Sequence, residues 1–418
     1  LTAIPHSEEG ETVRKAIVTA LLLALFAGTA WAQNIRIMGY GGNDPAIVVR
    51  LLEEVIGDEL EAEGITLTYE PLEGDYNAAL FNALSAGTAA DLFYIPVETA
   101  PGIIATGKVL PLNGLVDVDP FIDSLVEAYT FDGQVYGIAK DFNSLAVVYN
   151  KDLFDEAGVA YPDENDTWET FADKLRAVSA LDDDVYGACF QPAYDRFGAF
   201  ALAAGWQPFD ADGHTDLLDP AFVEAVEWYA SLVQEGAAVL PADIGQGWTG
   251  GCLATDQVGV AFEGAWVLGF LRDEAPNLQY GATFMPIGPS GQRGNMLYTV
   301  AWGVNADSPN RDAAIRVLEA LTSPEAQQWV LEQGLAIPSR EALADNPFFD
   351  TGTPDAEANR VVFQGASDGN VAPFAFGTVG TAWMNPINDA LVAVLSGQAS
   401  VGDALANAQR EMDTLLQR

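Results

Sequence analysis

The sequence predicts an α/β protein of two lobes, each a β-sheet flanked by helices, and each assembled from stretches that are not contiguous in the chain. Three observations predict it. A β-α-β-α-β order runs through the N-terminal part. In the run Phe131–Gly158, FDGQVYGIAKDFNSLAVVYNKDLFDEAG, two β-prone patches flank the polar break Lys140–Ser144. A strand passing through such a break crosses from one lobe to another. The stretch Leu297–Asn305, LYTVAWGVN, reads as a return crossing. A chain that enters a lobe, leaves it and comes back builds discontinuous lobes.

Taken in order, Asn34–Met38 reads as the first strand, ending in the loop Tyr40–Asp44. A helix follows from Pro45, with Ile47, Val48, Leu51, Leu52 and Val55 at helical spacing. Pro45 suits the first turn and Asp44 the cap. Ile65–Tyr69 is the second strand. Asp75 precedes the helix YNAALFNALSAG, which ends on Gly87. Ala90–Ile95 is the third strand, and a helix starts near Pro101. This order implies a parallel sheet with helices on its faces. Ligands of such sheets bind at the loops beyond the strand C-termini, here Tyr40–Asp44, Glu73–Tyr76 and Val97–Pro101. Past the first crossing, Phe197–Ala204 and Pro220–Gln234 read as helices. Val258–Phe262 and Tyr280–Pro286 read as strands, the former leading into Glu263-Gly264-Ala265-Trp266. Helices are expected at Arg311–Leu321, Pro324–Gln333, Met384–Leu395 and Val401–Leu416.

Composition narrows the function. A chain of 418 residues holds two sizeable cores, and 49% hydrophobic residues exclude disorder. A formal net charge of −42 argues against nucleic acid and anionic membrane surfaces, which need basic patches. Lysine occurs only at positions 15, 108, 140, 151 and 174. Acid excess with lysine depletion suits a surface screened by high salt, or simply an acidic exported protein.

Arg14 and Lys15, the apolar run Ala16–Gly28 and the A-x-A site Ala30-Trp31-Ala32 read as a signal peptide cleaved before Gln33. Residues 1–12 read as an upstream extension. No Cys follows the cleavage site, so no lipid anchor is expected. The exported chain is expected to be periplasmic or extracellular. No later segment reaches 18 unbroken apolar residues, so membrane insertion is not expected. Cys189 and Cys252 would sit in an oxidising compartment, either bridged or as two buried thiols. Neither a metal site nor a cofactor is expected.

Catalytic signals are weak. His214 lies in the acidic turn DADGHTD, too exposed for a Ser-His-Asp triad. The acids of that turn miss the calcium-loop pattern. Gly245–Gly250 matches GxGxxG without a βα context. A secreted glycosidase, needing two carboxylates across a sugar, remains the rival enzyme class. Sixty acidic residues make some such pair inevitable, so their number decides nothing.

Several stretches together carry a family resemblance: YGIAKDFNSLAVVYNKDLFDEAG, the EGAW element with YGATFMPIGPSG, SPEAQQW, and MNPINDALVAVLSGQASVGDAL. In this order they resemble the extracellular solute-binding proteins, family 1, of carbohydrate ABC importers, over nearly all of the chain after residue 32. The resemblance implies a maltose-binding-protein-like, two-lobe periplasmic binding protein fold (type II, clamshell). It assigns residues 33–140 and 300–340 to the N-terminal lobe, and 141–299 and 341–418 to the C-terminal lobe. It implies a monomeric, non-enzymatic receptor for a sugar or oligosaccharide, with ABC transporter permease subunits and their cytoplasmic ATPase as partners. Related folds carry polyamines or ferric iron, and acidic plus aromatic residues suit a polyamine too.

Sugars present hydroxyl edges and apolar faces, so their sites combine carboxylates and amides with flat rings. The expected ligand residues after the first-lobe strands are Tyr40, Asn43, Asp44, Asp75, Tyr76 and Glu98. Asp44 and Asp75 serve equally as helix caps. Asp141 and Asn143 are expected at the crossing, with a hinge hydrogen bond as the alternative role. Tyr194, Asp195, Glu263 and Trp266 are expected from the second lobe, with Trp302 and Trp383 as further ring candidates.

Overall fold

The computed structural model describes residues 33–41, 44–72, 74–332 and 337–417. The stretch expected to be a signal peptide and Asn43 lie outside them. Thirteen strands follow one another among the described residues: β1 (Gln33–Tyr40), β2 (Ile65–Leu72), β3 (Leu92–Pro96), β4 (Thr130–Phe131), β5 (Gln134–Val135), β6 (Ile138–Asn143), β7 (Ala146–Asn150), β8 (Tyr186–Cys189), β9 (Ala238–Val239), β10 (Val258–Glu263), β11 (Tyr280–Thr283), β12 (Gly294–Val304) and β13 (Asn370–Pro373).

Two sheets organise the molecule. The first has the order β13-β12-β3-β1-β2, with β6 also paired to β12; the second has the order β11-β7-β10-β8-β9. β1 pairs in parallel with both β2 and β3, as a β-α-β-α-β unit requires. β12 and β6 run antiparallel in the first sheet. β7 and β10 are buried along their whole length, because helices cover both faces of the second sheet. The helix Ala100–Ala105 after β3 lies close to the turns Gly377–Met384, which follow β13.

The first crossing departs from the sequence reading. Lys140–Asn143 form no break: β6 runs through them, paired with β12 as far as Asn143–Tyr298. Only Ser144 and Leu145 lie between β6 and β7. A side chain supplies the missing ladder there. The buried Asn295 amide accepts from the Leu145 N–H and donates to the Leu145 carbonyl, each at 2.8 Å. Ser144 Oγ donates to the Val362 carbonyl at 2.8 Å, and Gly365 leaves it room, since a Cβ there would meet that oxygen at 2.6 Å. After β7, Asn150 caps the helix Lys151–Ala157 and Gly158 closes it at φ 66°. The NKDLFDEAG wording is thus a helix with both ends specified.

Candidate functional site

β6 and β12 carry the chain between the lobes, and polar side chains gather on both sides of them. On the first-lobe side, the pairing of β6 with β12 shifts register between Val300 and Ala301. The bulge places two β6 residues, Lys140 and Asp141, where a regular strand would send neighbours to opposite faces. They form an ion pair, and the Lys140 ammonium sits 5.3 Å from the Tyr94 ring centre. Tyr40 packs edge-on against Tyr76 at 4.9 Å and Tyr94 at 5.1 Å. Glu98 follows β3 and is half-buried; burial pushes its carboxyl up, and its own backbone N–H offsets this only in part. The fully buried Tyr129 hydroxyl lies in electrostatic reach of Glu98, Tyr40 and Asp141. Burial holds it well above the usual phenol range. Its neighbour Thr299, which tempers that rise, gives its proton to the Asp141 carbonyl at 2.6 Å, and the Tyr129 hydroxyl finds no well-formed hydrogen bond among the described residues.

The second-lobe side is built around Arg196. Its Nη2 donates to Glu263 Oε2 at 2.8 Å, and its guanidinium stands 5.2 Å from the Trp266 ring centre. Burial pulls this guanidinium down, but Glu263, Tyr298 and Asp195 more than offset it and raise it. Trp266 Nε1 donates to the same Glu263 oxygen at 2.6 Å. Gly264 makes this possible: a Cβ there would meet the indole ring at 2.5 Å. Tyr298 packs edge-on to Trp266 at 5.2 Å and donates its hydroxyl to the Asp195 carbonyl. Asp195 Oδ1 is buried with no partner among the described residues, and burial raises the Asp195 carboxyl although Arg196 lowers it in part. Asn143 joins the two sides by accepting from the Ala265 N–H at 2.9 Å, which is the hinge role of that residue.

The structure therefore brings together Tyr40, Glu98 and Asp141 on one side, and Asp195, Glu263 and Trp266 on the other. Several expected ligand residues are corrected. Tyr76 is buried; its hydroxyl accepts from the Tyr94 N–H at 2.9 Å and faces the carbonyls of Met38 and Tyr94, so it stitches β1 to β3. Trp302 is 1% exposed and packs on Tyr94 in the first-lobe core. Tyr194 and Trp383 are buried against each other at 4.8 Å in the second-lobe core, and Trp383 Nε1 donates to Thr215. Glu263 is fully buried and accepts four hydrogen bonds, so it positions neighbours and offers a ligand nothing. Asp75 is exposed and caps the helix Tyr76–Ala86 through the Ala78 N–H. Asp44 is the first residue of the helix Asp44–Leu51, and its side chain lies outside what the structure describes. Cys189 and Cys252 form a disulfide.

Sequence reasoning missed Arg196, Tyr298 and Tyr129. The signal for Arg196 was its rarity: a basic residue beside Asp195 in a chain with only 18 Lys and Arg. Tyr129 carried no signal, since only the fold brings the end of its helix under β12. Among the described residues, no helix is long and apolar enough to cross a membrane.

The family model for the bacterial extracellular solute-binding proteins matches residues 59–357. The chain belongs to that family. A Brucella abortus protein described as a binding protein is 28% identical over 277 residues, covering 63% of this chain. That match spans 66% of the relative's length, just under two thirds. The diacetylchitobiose binding protein of Streptomyces coelicolor is 25% identical over 81% of this chain and 79% of its own. Among solved structures, the sugar-binding protein of Xanthomonas citri superposes with a TM-score of 0.79 at 18% identity, over 92% of this chain and 98% of that one. The likeness shows the two-lobe fold.

Proposed function

We propose that this member of the bacterial extracellular solute-binding family binds a sugar or oligosaccharide between its two lobes and delivers it to an ABC transporter permease. The observation that carries the reading is Trp266. Its half-buried indole is fixed at Nε1 by Glu263, at one edge by Tyr298, and lies 5.2 Å from the Arg196 guanidinium. A partly exposed ring held at a fixed angle suits a pyranose, whose C–H face covers the ring while its hydroxyls meet polar groups around it. Glu98, Asp141 and Tyr40 would meet the ligand from the first lobe. Closure is favoured only by contacts made to both lobes at once, with β6 and β12 as the hinge strands. The sugars in the names of relatives support the carbohydrate class.

We read the site as a binder rather than a glycosidase. All four bonds that Glu263 accepts come from the protein, which leaves it no capacity for proton transfer. The protein is read as exported, cleaved after Ala32, and monomeric.

The test is a thermal-shift screen of residues 33–418 against mono-, di- and oligosaccharides, spermidine and ferric citrate. A ligand that binds only the folded state raises the melting point. A shift with one saccharide class, without its cleavage, is the expected result. Shifts only with spermidine or iron would overturn the carbohydrate reading, and cleavage of the sugar would overturn the receptor.

A further inference from the structure

The ligand platform is held from behind by a segment that its own sequence does not favour. Glu263 Oε1 accepts from the Thr249 hydroxyl and from the Gly250 N–H at 3.0 Å. Both donors stand at the start of the five-residue helix Thr249–Leu253, TGGCL. A helix of one turn is not stable alone, and glycine is a poor helix former. Yet the glycines are required. A Cβ at Gly250 would meet the Trp248 ring at 2.3 Å, and one at Gly251 would meet Gln246 Oε1 at 2.7 Å. The segment therefore needs a restraint from outside itself.

The disulfide supplies it. Cys252 lies in this helix and Cys189 is the last residue of β8, with Cα atoms 6.3 Å apart. The two cysteines, with Val239 and Val258, form a small buried cluster separate from both large cores. From Cys189 the chain runs directly into the helix Tyr194–Ala204, which carries Asp195 and Arg196. One covalent bond thus ties the segment that holds Glu263 from one side to the segment that holds it from the other. Glu263 in turn fixes the Trp266 indole and the Arg196 guanidinium.

We propose that the Cys189–Cys252 disulfide and Thr249 are positioning elements of the ligand platform, acting through Glu263 on Trp266 and Arg196. This rests on the reading of Trp266 as a ligand-stacking ring. Without the bond, the TGGCL segment loses its restraint, Glu263 loses two donors, and the indole is no longer held at one angle.

The test compares the Cys189→Ala/Cys252→Ala double variant, Thr249→Val and Thr249→Ser with the unaltered protein. Two quantities are read: affinity for the saccharide that shifts the unaltered protein most, and the emission of Trp266, taken as the difference between each protein and its Trp266→Phe counterpart. The double variant and Thr249→Val are expected to lose affinity about tenfold or more and to change the Trp266 emission, while Thr249→Ser keeps both. Unchanged affinity and unchanged emission in the double variant would overturn the proposal. So would failure of the double variant to fold, since the bond would then hold the lobe rather than the platform. If no saccharide binds the unaltered protein, the functional reading falls, and the emission comparison still decides the positioning role.

Discussion

Glu263 and Glu98 stand in opposite lobes and are treated in opposite ways. Glu263 is fully buried, yet it accepts from Thr249, Gly250, Arg196 and Trp266. Glu98 is half-buried, and burial raises its carboxyl with only its own backbone N–H in opposition. Beside Glu98 stands a Tyr129 hydroxyl with no partner; beside Glu263, the Tyr298 hydroxyl is donated to the Asp195 carbonyl. The difference separates two tasks. The second-lobe wall is a rigid platform whose polar groups mostly satisfy each other. The first-lobe wall keeps polar groups that the protein satisfies less completely. Asp195, whose buried Oδ1 has no partner among the described residues, is the exception on the platform.

Removing the centre of the platform is the harshest way to break this contrast. Glu263→Ala leaves the Arg196 guanidinium, 12% exposed, without its main counter-charge. Loss of one partner from a buried ion pair costs about 3–5 kcal/mol. Asp141→Ala should cost clearly less, because the Lys140–Asp141 pair is 17% and 20% exposed. Urea unfolding measures both, and equal losses would show that the two walls are built alike. Next in size is Trp266→Ala, expected to weaken saccharide binding by about 1–3 kcal/mol, the scale of a lost ring–ligand stack. Trp383→Ala should instead lower stability by about 3–5 kcal/mol, as a cavity in the second-lobe core. Calorimetric titration beside thermal melts separates the two tryptophans. Equal affinity losses per unit of lost stability would remove the distinction between platform and core.

These tryptophans also mark how far the sequence could be read. Strand and helix order was legible because periodicity and caps are local: Asn150 and Gly158 announce their helix ends, and Ile47, Val48 and Leu51 their face. Burial of a single ring is not local. Trp302, Trp383 and Trp266 look alike in sequence. Only the fold puts Trp302 against Tyr94, Trp383 against Tyr194, and Trp266 at the cleft. Glu263 shows the same limit for charge. A carboxylate after a strand reads as a ligand group until its four donors are known, and all four come from elsewhere in the chain or from a side chain one turn on. The polar run Lys140–Asn143 misled because polarity was read as a break, whereas a bulge keeps those residues in the strand.

Two smaller tests bear on the first-lobe wall. Tyr129→Phe removes a buried hydroxyl that has no partner, so it should raise the stability of the free protein by up to about 1 kcal/mol. A stability loss in thermal melts would mean that the hydroxyl is already satisfied.

The smallest effect concerns Glu98, and its sign is fixed by linkage. Burial raises the folded-state carboxyl above its unfolded value. The folded protein then holds the proton more tightly than the unfolded chain does, so unfolding becomes easier as pH rises through the raised value. Glu98→Gln removes this loss. The variant should match the unaltered protein below the ordinary carboxylate range and exceed it above the raised value. Asp195→Asn should act in the same direction but less, because Arg196 already favours the Asp195 charge. Urea midpoints between about pH 3 and pH 8 give the curves. Parallel curves for Glu98→Gln and the unaltered protein would mean that Glu98 is as well satisfied as its counterpart across the cleft. Diverging curves carry a consequence for binding. A sugar hydroxyl donates best to the ionised carboxylate, so ligand binding should release a proton and tighten across the same pH window. That behaviour belongs to a wall left unsatisfied until the ligand completes it.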